Sequence, residues 1–418
     1  MQLTPEQKQF ILAHEREDIR ETALRFVRDD MPLLLAQIAG RQMAEKKIPS
    51  WYAETDIVYP AHLSLEQSSS ELTARYKVSL ITGESEAFAD SSFITSGTSQ
   101  VSVENKNNRF ADLTGGMGVD FSFISPYFRE ATYVEQNKDL CRIAVHNFRL
   151  LGLKNMTIHC VDAETFLKET TPLDFIYLDP SRRDNAGRKL FRIEDCSPDL
   201  LKIKPWLLEK SGRVMVKYSP MLDISLAVKT IGCVSAVHIV SVDNECKELL
   251  FLLSKTAGNE PLFVAVNLRR SGGKEIFSFT PEQEQKASIP FASGPGHYLY
   301  ESNASILKAG AFKSVAQVYN LQKLHINSHL YTSDELVADF PGRVFEVETS
   351  FAPNKKNIKT FLQDTKKANI AVRNFPMTVA EIRHKTGLVD GGDTYLFATT
   401  LADERKVWIV CTKLQAFY

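Results

Sequence analysis

Cysteine is sparse and unpatterned in this chain. The six cysteines, Cys141, Cys160, Cys196, Cys233, Cys246 and Cys411, form no C-x-x-C pair and have no histidine cluster beside them. That excludes a disulfide framework and a zinc site of the usual spacing, so no metal is expected and a reducing cytoplasm is the expected location. Charge of one sign is also missing, since 50 Lys+Arg stand against 51 Asp+Glu. A uniformly basic nucleic-acid coat and an acidic disordered tail are thereby excluded, and a polyanionic partner must meet a local basic patch. No apolar run approaches the roughly 18 residues that a spanning helix needs. The opening MQLTPEQKQFILAHERED is amphipathic and carries acids, unlike a targeting leader. There is no internal repeat and no long low-complexity tract. What remains is the expectation of a soluble chain of 418 residues, 44% hydrophobic, long enough for two to four domains.

What is present falls into four stretches. Phe10, Ile11, Ala23, Leu24, Phe26, Val27, Leu33, Leu34, Leu35 and Ile38 lie at helical spacing and predict three short helices between about residues 4 and 47. Ser68 followed by Glu71 reads as a capping box that opens a further helix, ELTARYKVSLI. Residues 82–108, rich in Ser, Thr, Gly and Asn, read as a connector. From Phe110 the pattern changes to RFADL, ATYVEQ, MTIHCVD, DFIYLDP, RVMVKYS, SAVHIVSV and ELLFLLS, short strands separated mostly by helical segments. That alternation predicts an α/β fold with a mostly parallel, doubly wound sheet, whose last two strands, joined by a short NEC link, form an antiparallel pair. Beyond about Asn259 the pattern is that of small α+β units, with a helix from Asn303. The expected divisions are a helical region at 1–85, the α/β core at 100–256, an α+β domain at 258–336 and a final module at 337–418.

Chemistry concentrates at the strand ends. The segment from Asp112 to Asp120, DLTGGMGVD, follows the first strand, and Gly116 and Gly118 allow a sharp turn and close approach to a ligand. A dinucleotide fingerprint would need glycine at 121, where Phe121 stands. The loop better resembles the S-adenosylmethionine loop [DE]-x-G-x-G-x-G, with Thr114 in the first glycine slot; taken alone it is equally a plain tight turn. Glu135 ends the next strand, where an acid can accept both hydrogen bonds of a ribose diol, and Asp162 ends the third, where such enzymes place an Asp that reads the adenine amino group. The candidate cofactor-binding set is Asp112, Thr114, Gly115, Gly116, Gly118, Glu135, Gln136, Asp162, Ala163, Asp179 and Pro180.

The fourth strand runs into Asp179-Pro180-Ser181-Arg182-Arg183. Asp-Pro begins the DPP[YFW] motif of amino-methyltransferases, but Ser181 and Arg182 replace the second proline and the aromatic. Arg182, Arg183 and Arg188, with Lys189 and Arg192, can neutralise phosphate beside a cleft; paired with Glu194 and Asp195, the same stretch is an ordinary solvated loop. A lysine on an apolar strand is costly unless it is paired or opens on a cleft, so Lys217 joins Asp179 as a candidate catalytic residue. Asp179, Lys217 and Glu248 resemble three members of the K-D-K-E tetrad of RNA ribose 2′-O-methyltransferases, with Lys77 as a candidate fourth; the plainer reading is a structural Lys217–Glu248 ion pair. The cleft loops hold no Pro-Cys or T-x-C pair, so a covalent pyrimidine-C5 mechanism is not expected.

On DLTGGMGVD, YVEQN, LDPSRRD, VKYSPMLD, NECKELL, YLYESNASILKAGAF and the RNFP of Arg373 to Pro376, the chain resembles a family of bacterial, Bacteroidetes-type class I methyltransferases with a C-terminal THUMP-like domain. The resemblance runs from about residue 44 to the end. It implies a Rossmann-like seven-stranded core that binds S-adenosylmethionine, an N-terminal helical region, and ferredoxin-like and THUMP-like α+β modules. THUMP domains elsewhere bind structured RNA and present it to an attached catalytic domain, so tRNA or rRNA is the implied partner. Lys355, Lys356 and Lys359, with Lys366, Lys367 and Arg373, make a local positive excess suited to a phosphate backbone, or else an ordinary solvated helix face. Gly391-Gly392 predicts a hairpin turn. The expected function is S-adenosylmethionine-dependent methylation of RNA. A non-catalytic RNA-binding or S-adenosylmethionine-sensing protein, and a methyltransferase for protein or a small molecule, stand as alternatives.

Overall fold

The computed structural model describes residues 3–60, 68–83, 108–182, 192–258 and 260–414. They divide into two compact units, Met1–His238 with Lys247–Pro261, and Ile239–Cys246 with Leu262–Tyr418. No helix among the described residues is long and apolar enough to cross a membrane.

The first unit begins with α1 (Pro5–His14), α2 (Ile19–Arg25) and α3 (Met31–Lys47), the three helices expected from the apolar spacing, followed by a short α4 (Pro49–Ala53) and by α5 (Glu71–Thr82). Helix α5 is capped by Ser70 in a box with Thr73, rather than by Ser68 with Glu71. The Glu71 carboxylate is engaged elsewhere: it accepts the Ser50 N–H at 2.9 Å and pairs with Arg75. The apolar faces of these helices bury Ile11, Leu34 and Ile38 with Ile143, and Ile48 and Trp51 with Met117 and Val119.

The α/β part runs β1 (Arg109–Asp112), α6 (Val119–Ile124), β2 (Glu130–Val134), α7 (Lys138–Leu150), β3 (Met156–His159), α8 (Ala163–Glu169), β4 (Phe175–Leu178), α9 (Leu200–Lys210), β5 (Val214–Tyr218), α10 (Ile224–Ile231), β6 (Val234–Val242) and β7 (Glu245–Leu253). All seven strands expected from the sequence are present, in the order β3-β2-β1-β4-β5-β7-β6. β1 to β5 pair in parallel, and β7 lies antiparallel to β5. Every residue of β4 and β5 is buried, the pattern of parallel strands covered on both faces by crossover helices. The order reverses between β1 and β4, which opens a crevice at their carboxyl ends.

In the second unit β8 (Leu262–Leu268) and β9 (Lys274–Phe279) form an antiparallel hairpin. There follow α11 (Pro281–Lys286), β10 (Tyr298–Ser302), α12 (Ala304–Ala309), α13 (Ser314–Val318), β11 (Leu330–Ser333), β12 (Gly342–Phe351), α14 (Lys355–Leu362), β13 (Asn369–Arg373), α15 (Val379–Thr386), β14 (Thr394–Thr400) and β15 (Lys406–Lys413). With the two residues Gln322–Lys323 at one edge, β11, β10, β12, β15, β14 and β13 make a single sheet in that order. Its two faces bury separate cores, one on Leu299, Phe345 and Phe397, the other on Leu396, Ile382 and Trp408. Asn303 caps α12, as expected. Gly391 and Gly392 do adopt positive φ, but they lead into β14, whose partner β13 is parallel. Parallel neighbours need a crossover, supplied here by α15, so no hairpin forms at these glycines.

Candidate functional site

The carboxyl ends of β1, β2, β4 and β5 border a cavity of about 500 Å³ in the first unit, within the usual range for small-molecule sites. The glycine loop after β1 forms one wall. The Glu135 carboxylate ties this loop to the end of β2: Gly116 N–H donates to Oε2 at 2.9 Å and Asn137 N–H to Oε1 at 2.8 Å. Thr114, which occupies a glycine position of the motif, has a purpose there, because its Oγ1 accepts the Asp179 N–H at 2.6 Å and joins the loop to the end of β4. Asp112 accepts the Thr114 N–H at 3.0 Å, and burial pushes its carboxyl well above the ordinary range.

Glycine is required in this wall for two different reasons. Gly116 and Gly118 have φ of +56° and +81°, the left-handed region that side chains disfavour. At Gly115 an added Cβ would overlap the Tyr133 ring, and at Gly118 it would overlap Phe148. Tyr133 cannot easily yield, since it is fully buried and its hydroxyl donates to Gly116 O at 2.5 Å. Gly115→Ala is therefore expected to displace the loop, costing about 1–3 kcal/mol in overpacking. If that cost falls on the bound form, isothermal calorimetry should show a loss of roughly 5- to 150-fold in affinity for S-adenosylhomocysteine, since each 1.4 kcal/mol is tenfold. Unchanged affinity would mean that the loop does not touch the ligand.

Below the loop lies a chain of alternating charges. Lys217 Nζ is 2.5 Å from Asp179 Oδ2 and 3.9 Å from Asp120 Oδ2, while Lys77 Nζ is 3.1 Å from Asp120 Oδ1 and 2.7 Å from Glu248 Oε1. Both lysines donate to Ser69 Oγ, at 3.0 Å from Lys77 and 3.3 Å from Lys217. Ser69 and Tyr177 in turn each donate to Asp120 Oδ2 at 2.7 Å. Burial would raise the Asp120 carboxyl, but Lys77 and Lys217 with the two hydroxyls hold it down at about 2. Burial would likewise strip Lys217 of its proton, yet Asp179, Asp120 and Glu248 keep it an ammonium, above the ordinary lysine range. At Asp179 burial prevails over the pull of Lys217 and raises the carboxyl. Only the outer end of the chain is open, the Asp179 side chain being 35% exposed and Lys77 fully buried.

Of the residues singled out in the sequence, Asp112, Thr114, Gly115, Gly116, Gly118, Glu135, Gln136, Asp162, Ala163, Asp179 and Lys217 all line this cavity. Pro180 is buried and does not line it. Asp162 stands three residues past β3 as the cap of α8, where its oxygens accept Thr165 N–H at 2.9 Å and the Thr165 hydroxyl at 2.7 Å. The expected Lys217–Glu248 ion pair is replaced by Lys77–Glu248, because α5 inserts Lys77 between Glu248 and Asp120. Arg182 contributes backbone pairing with Cys196, and Arg183 and Arg188 lie outside the described residues. Lys355, Lys356 and Lys359 are exposed on α14 of the second unit. That helix ends at Leu362, so Lys366 and Lys367 belong to the loop after it, and Arg373 is bound by Glu301 at 2.5 Å. The sequence reading missed Asp120, Ser69 and Tyr177, and also the lining segment from Ser197 to Ile203. The available signal for Asp120 was an acid within the otherwise largely apolar VDFSFI helix.

Residues 298–341 match a family described as a ferredoxin-like domain, and residues 342–413 one described as THUMP domain-like. No curated protein sequence matches the chain. A crystal structure of a protein of Porphyromonas gingivalis W83, designated a methyltransferase, superposes with a TM-score of 0.83 at 30% identity, over 99% of this chain and 100% of that one. An rRNA methylase of Streptococcus thermophilus aligns over 36% of this chain and 88% of its own, at 15% identity and a TM-score of 0.28.

Proposed function

This chain belongs to the family of the Porphyromonas gingivalis methyltransferase, class I enzymes dependent on S-adenosylmethionine and carrying a THUMP-like C-terminal domain, and from that premise we propose that its methyl acceptor is RNA, either tRNA or rRNA. The observation that carries the choice of RNA is the cluster of exposed lysines, Lys355, Lys356, Lys359, Lys366 and Lys367, on the THUMP-like module. None of them forms an ion pair among the described residues, so all five are available to phosphates. The proposed layout keeps the helical region at 1–85, the methyltransferase core at 100–256, and ferredoxin-like and THUMP-like modules after it.

The cavity suits the methyl donor in its charge. Seven acidic side chains line it, Asp112, Asp120, Glu135, Asp162, Glu164, Asp179 and Asp199, against Lys202 and Lys217. Even with Asp112 and Asp179 raised by burial, the remaining acids favour a ligand with cationic groups and disfavour a pyrophosphate. When bound, S-adenosylmethionine supplies an activated methyl group on a positively charged sulfur. Glu135 retains free lone pairs for two ribose hydroxyls, the glycine loop and Asp112 would face the amino-acid end, and Gln136, Asp162 and Ala163 would border the base. Asp179 and Lys217 would stand on the acceptor side and orient the incoming atom.

The test is binding of the full chain to RNA across a salt series. Log K is expected to fall linearly with log salt, and changing Lys355, Lys356 and Lys359 together to Gln should reduce the slope by about 2 to 3, near 0.7–0.9 per lost phosphate contact. Affinity for S-adenosylhomocysteine should not change. RNA binding that ignores both salt and the triple substitution would overturn the reading, and so would an unaltered methylated-nucleoside profile in RNA from a deletion strain.

A further inference from the structure

Two cysteines outside the charge chain meet behind the wall where the donor's ribose and base would lie. Cys141, in the first turn of α7, is buried, and its Sγ donates to Glu135 O at 3.2 Å. Cys160 directly follows β3 and is exposed. Val134 stands opposite His159 in the parallel β2–β3 pair, and Glu135 N–H donates to His159 O at 3.1 Å, which sets Cys160 level with Glu135. The two thiols are hydrogen-bond neighbours, and burial, followed by the nearness of Cys160 and Glu135, pushes the Cys141 thiol up to about 12. Leu140 and Val161, the chain neighbours of the pair, both line the cavity, as do Glu135, Gln136 and Asp162.

This division of roles matches what an oxidant-sensing pair requires. One thiol must be open to solvent to meet the oxidant, and a second must be close enough to close a bridge before oxidation runs on to irreversible acids. Cys160 is the open one. Cys141, buried and protonated at neutral pH, is shielded from the oxidant but lies against Cys160. Thiols already in contact reach the geometry of a disulfide by small side-chain rotations, whereas distant cysteines need the backbone to move. In a reducing compartment a bridge of this kind forms transiently.

We propose that Cys141 and Cys160 are a site of reversible oxidation by peroxide, and that the disulfide they form weakens binding of the methyl donor. The Cys160 sulfur takes one oxygen from hydrogen peroxide as the O–O bond breaks, giving a sulfenic acid and one water. The Cys141 sulfur then bonds to the Cys160 sulfur while the S–O bond breaks, and the departing hydroxyl leaves as a second water with the Cys141 thiol proton. Two thiols have lost two electrons and the peroxide has gained them. The bridge takes from Glu135 O the thiol hydrogen that it accepts, and draws the first turn of α7 toward the end of β3. Both changes fall on the segment that carries Glu135 and Gln136. The proposal rests on Glu135 holding the donor's ribose and not on the RNA reading.

The experiment treats the full reduced chain with hydrogen peroxide, removes the oxidant, and maps the thiols by peptide mass spectrometry without reductant. Affinity for S-adenosylhomocysteine is read by calorimetry before and after. The expected results are a cross-linked peptide joining Cys141 to Cys160 and a loss of affinity of roughly fivefold or more, the effect of about one hydrogen bond, regained on adding a dithiol reductant. Coupling is reciprocal, so saturating S-adenosylhomocysteine should raise the reduction potential of the pair by the same factor, about 20 mV for fivefold. Met117 also lines the cavity and can itself take oxygen from peroxide, so Cys160→Ser, which retains Met117, is the control. Its affinity should stay within roughly twofold of the reduced wild type and resist peroxide. Oxidation of Cys160 without a bridge to Cys141, a bridge that leaves affinity unchanged, or an equal loss in Cys160→Ser would overturn the proposal. A reduced chain that binds no S-adenosylhomocysteine would overturn the donor site as well.

Discussion

Replacing Lys217 by methionine is expected to lower kcat for methyl transfer by about 10²–10³, the effect of removing one preorganised charge beside the acceptor atom. The substitution keeps the length and most of the apolar stem of the side chain but removes the ammonium that lies 2.5 Å from Asp179 Oδ2. Because the glycine loop and Glu135 are untouched, S-adenosylhomocysteine should bind as before in calorimetry. A parallel loss in kcat and kcat/KM is the signature of an interaction made in the transition state alone. Lys217→Arg keeps the charge but not the compact geometry, and should recover only part of the rate. Equal rates for wild type and Lys217→Met would show that the lysine serves only the fold.

The largest expected loss of stability follows from Lys77→Met. Lys77 is fully buried between Asp120 and Glu248, and Glu248, only 3% exposed, has no other cation within ion-pair distance among the described residues. Removing one partner of a buried pair leaves an uncompensated charge and costs about 3–5 kcal/mol. For a unit of this size that lowers Tm by on the order of 10 °C, readable by calorimetric or circular-dichroism melting. Adding Glu248→Gln should restore part of the loss, since the orphaned carboxylate is then gone, and the double-mutant cycle would measure the coupling directly. If the single variant melts with the wild type, Lys77 is solvated and the chain of charges is broken at that link.

The two substitutions probe the same cluster at opposite ends. Lys217 and Asp179 meet the cavity, so their loss should fall on chemistry, whereas Lys77 and Glu248 lie beneath, so theirs should fall first on folding. Asp120 joins the two, touching both lysines.

The strands were legible in the sequence because their signal is local. RFADL, FIYL and VMVKY are short apolar runs between helical segments, and every residue of β4 and β5 is buried as such runs require. The glycine loop was legible for a similar reason: DLTGGMGVD states its own backbone geometry, and the positive φ at Gly116 and Gly118 follows from it. Local signals erred where two neighbours competed for one role, as Ser68 and Ser70 did for the cap of α5, where Ser70 forms the cap and Glu71 accepts the Ser50 N–H. They erred again at Gly391-Gly392, where a turn was correctly placed but the direction of the next strand was set by distant pairing.

The order of residues along the chain determined the strands, the glycine bend after β1 and the acids at the strand tips, because each of these depends on neighbours within a few positions. The joining of Lys77 to Glu248, 171 residues apart, through Asp120 was decided only when α5 packed beside α6 and β7 lay against β5. Charge pairing depends on distance in space, and the sequence carries no record of that distance until the fold has closed.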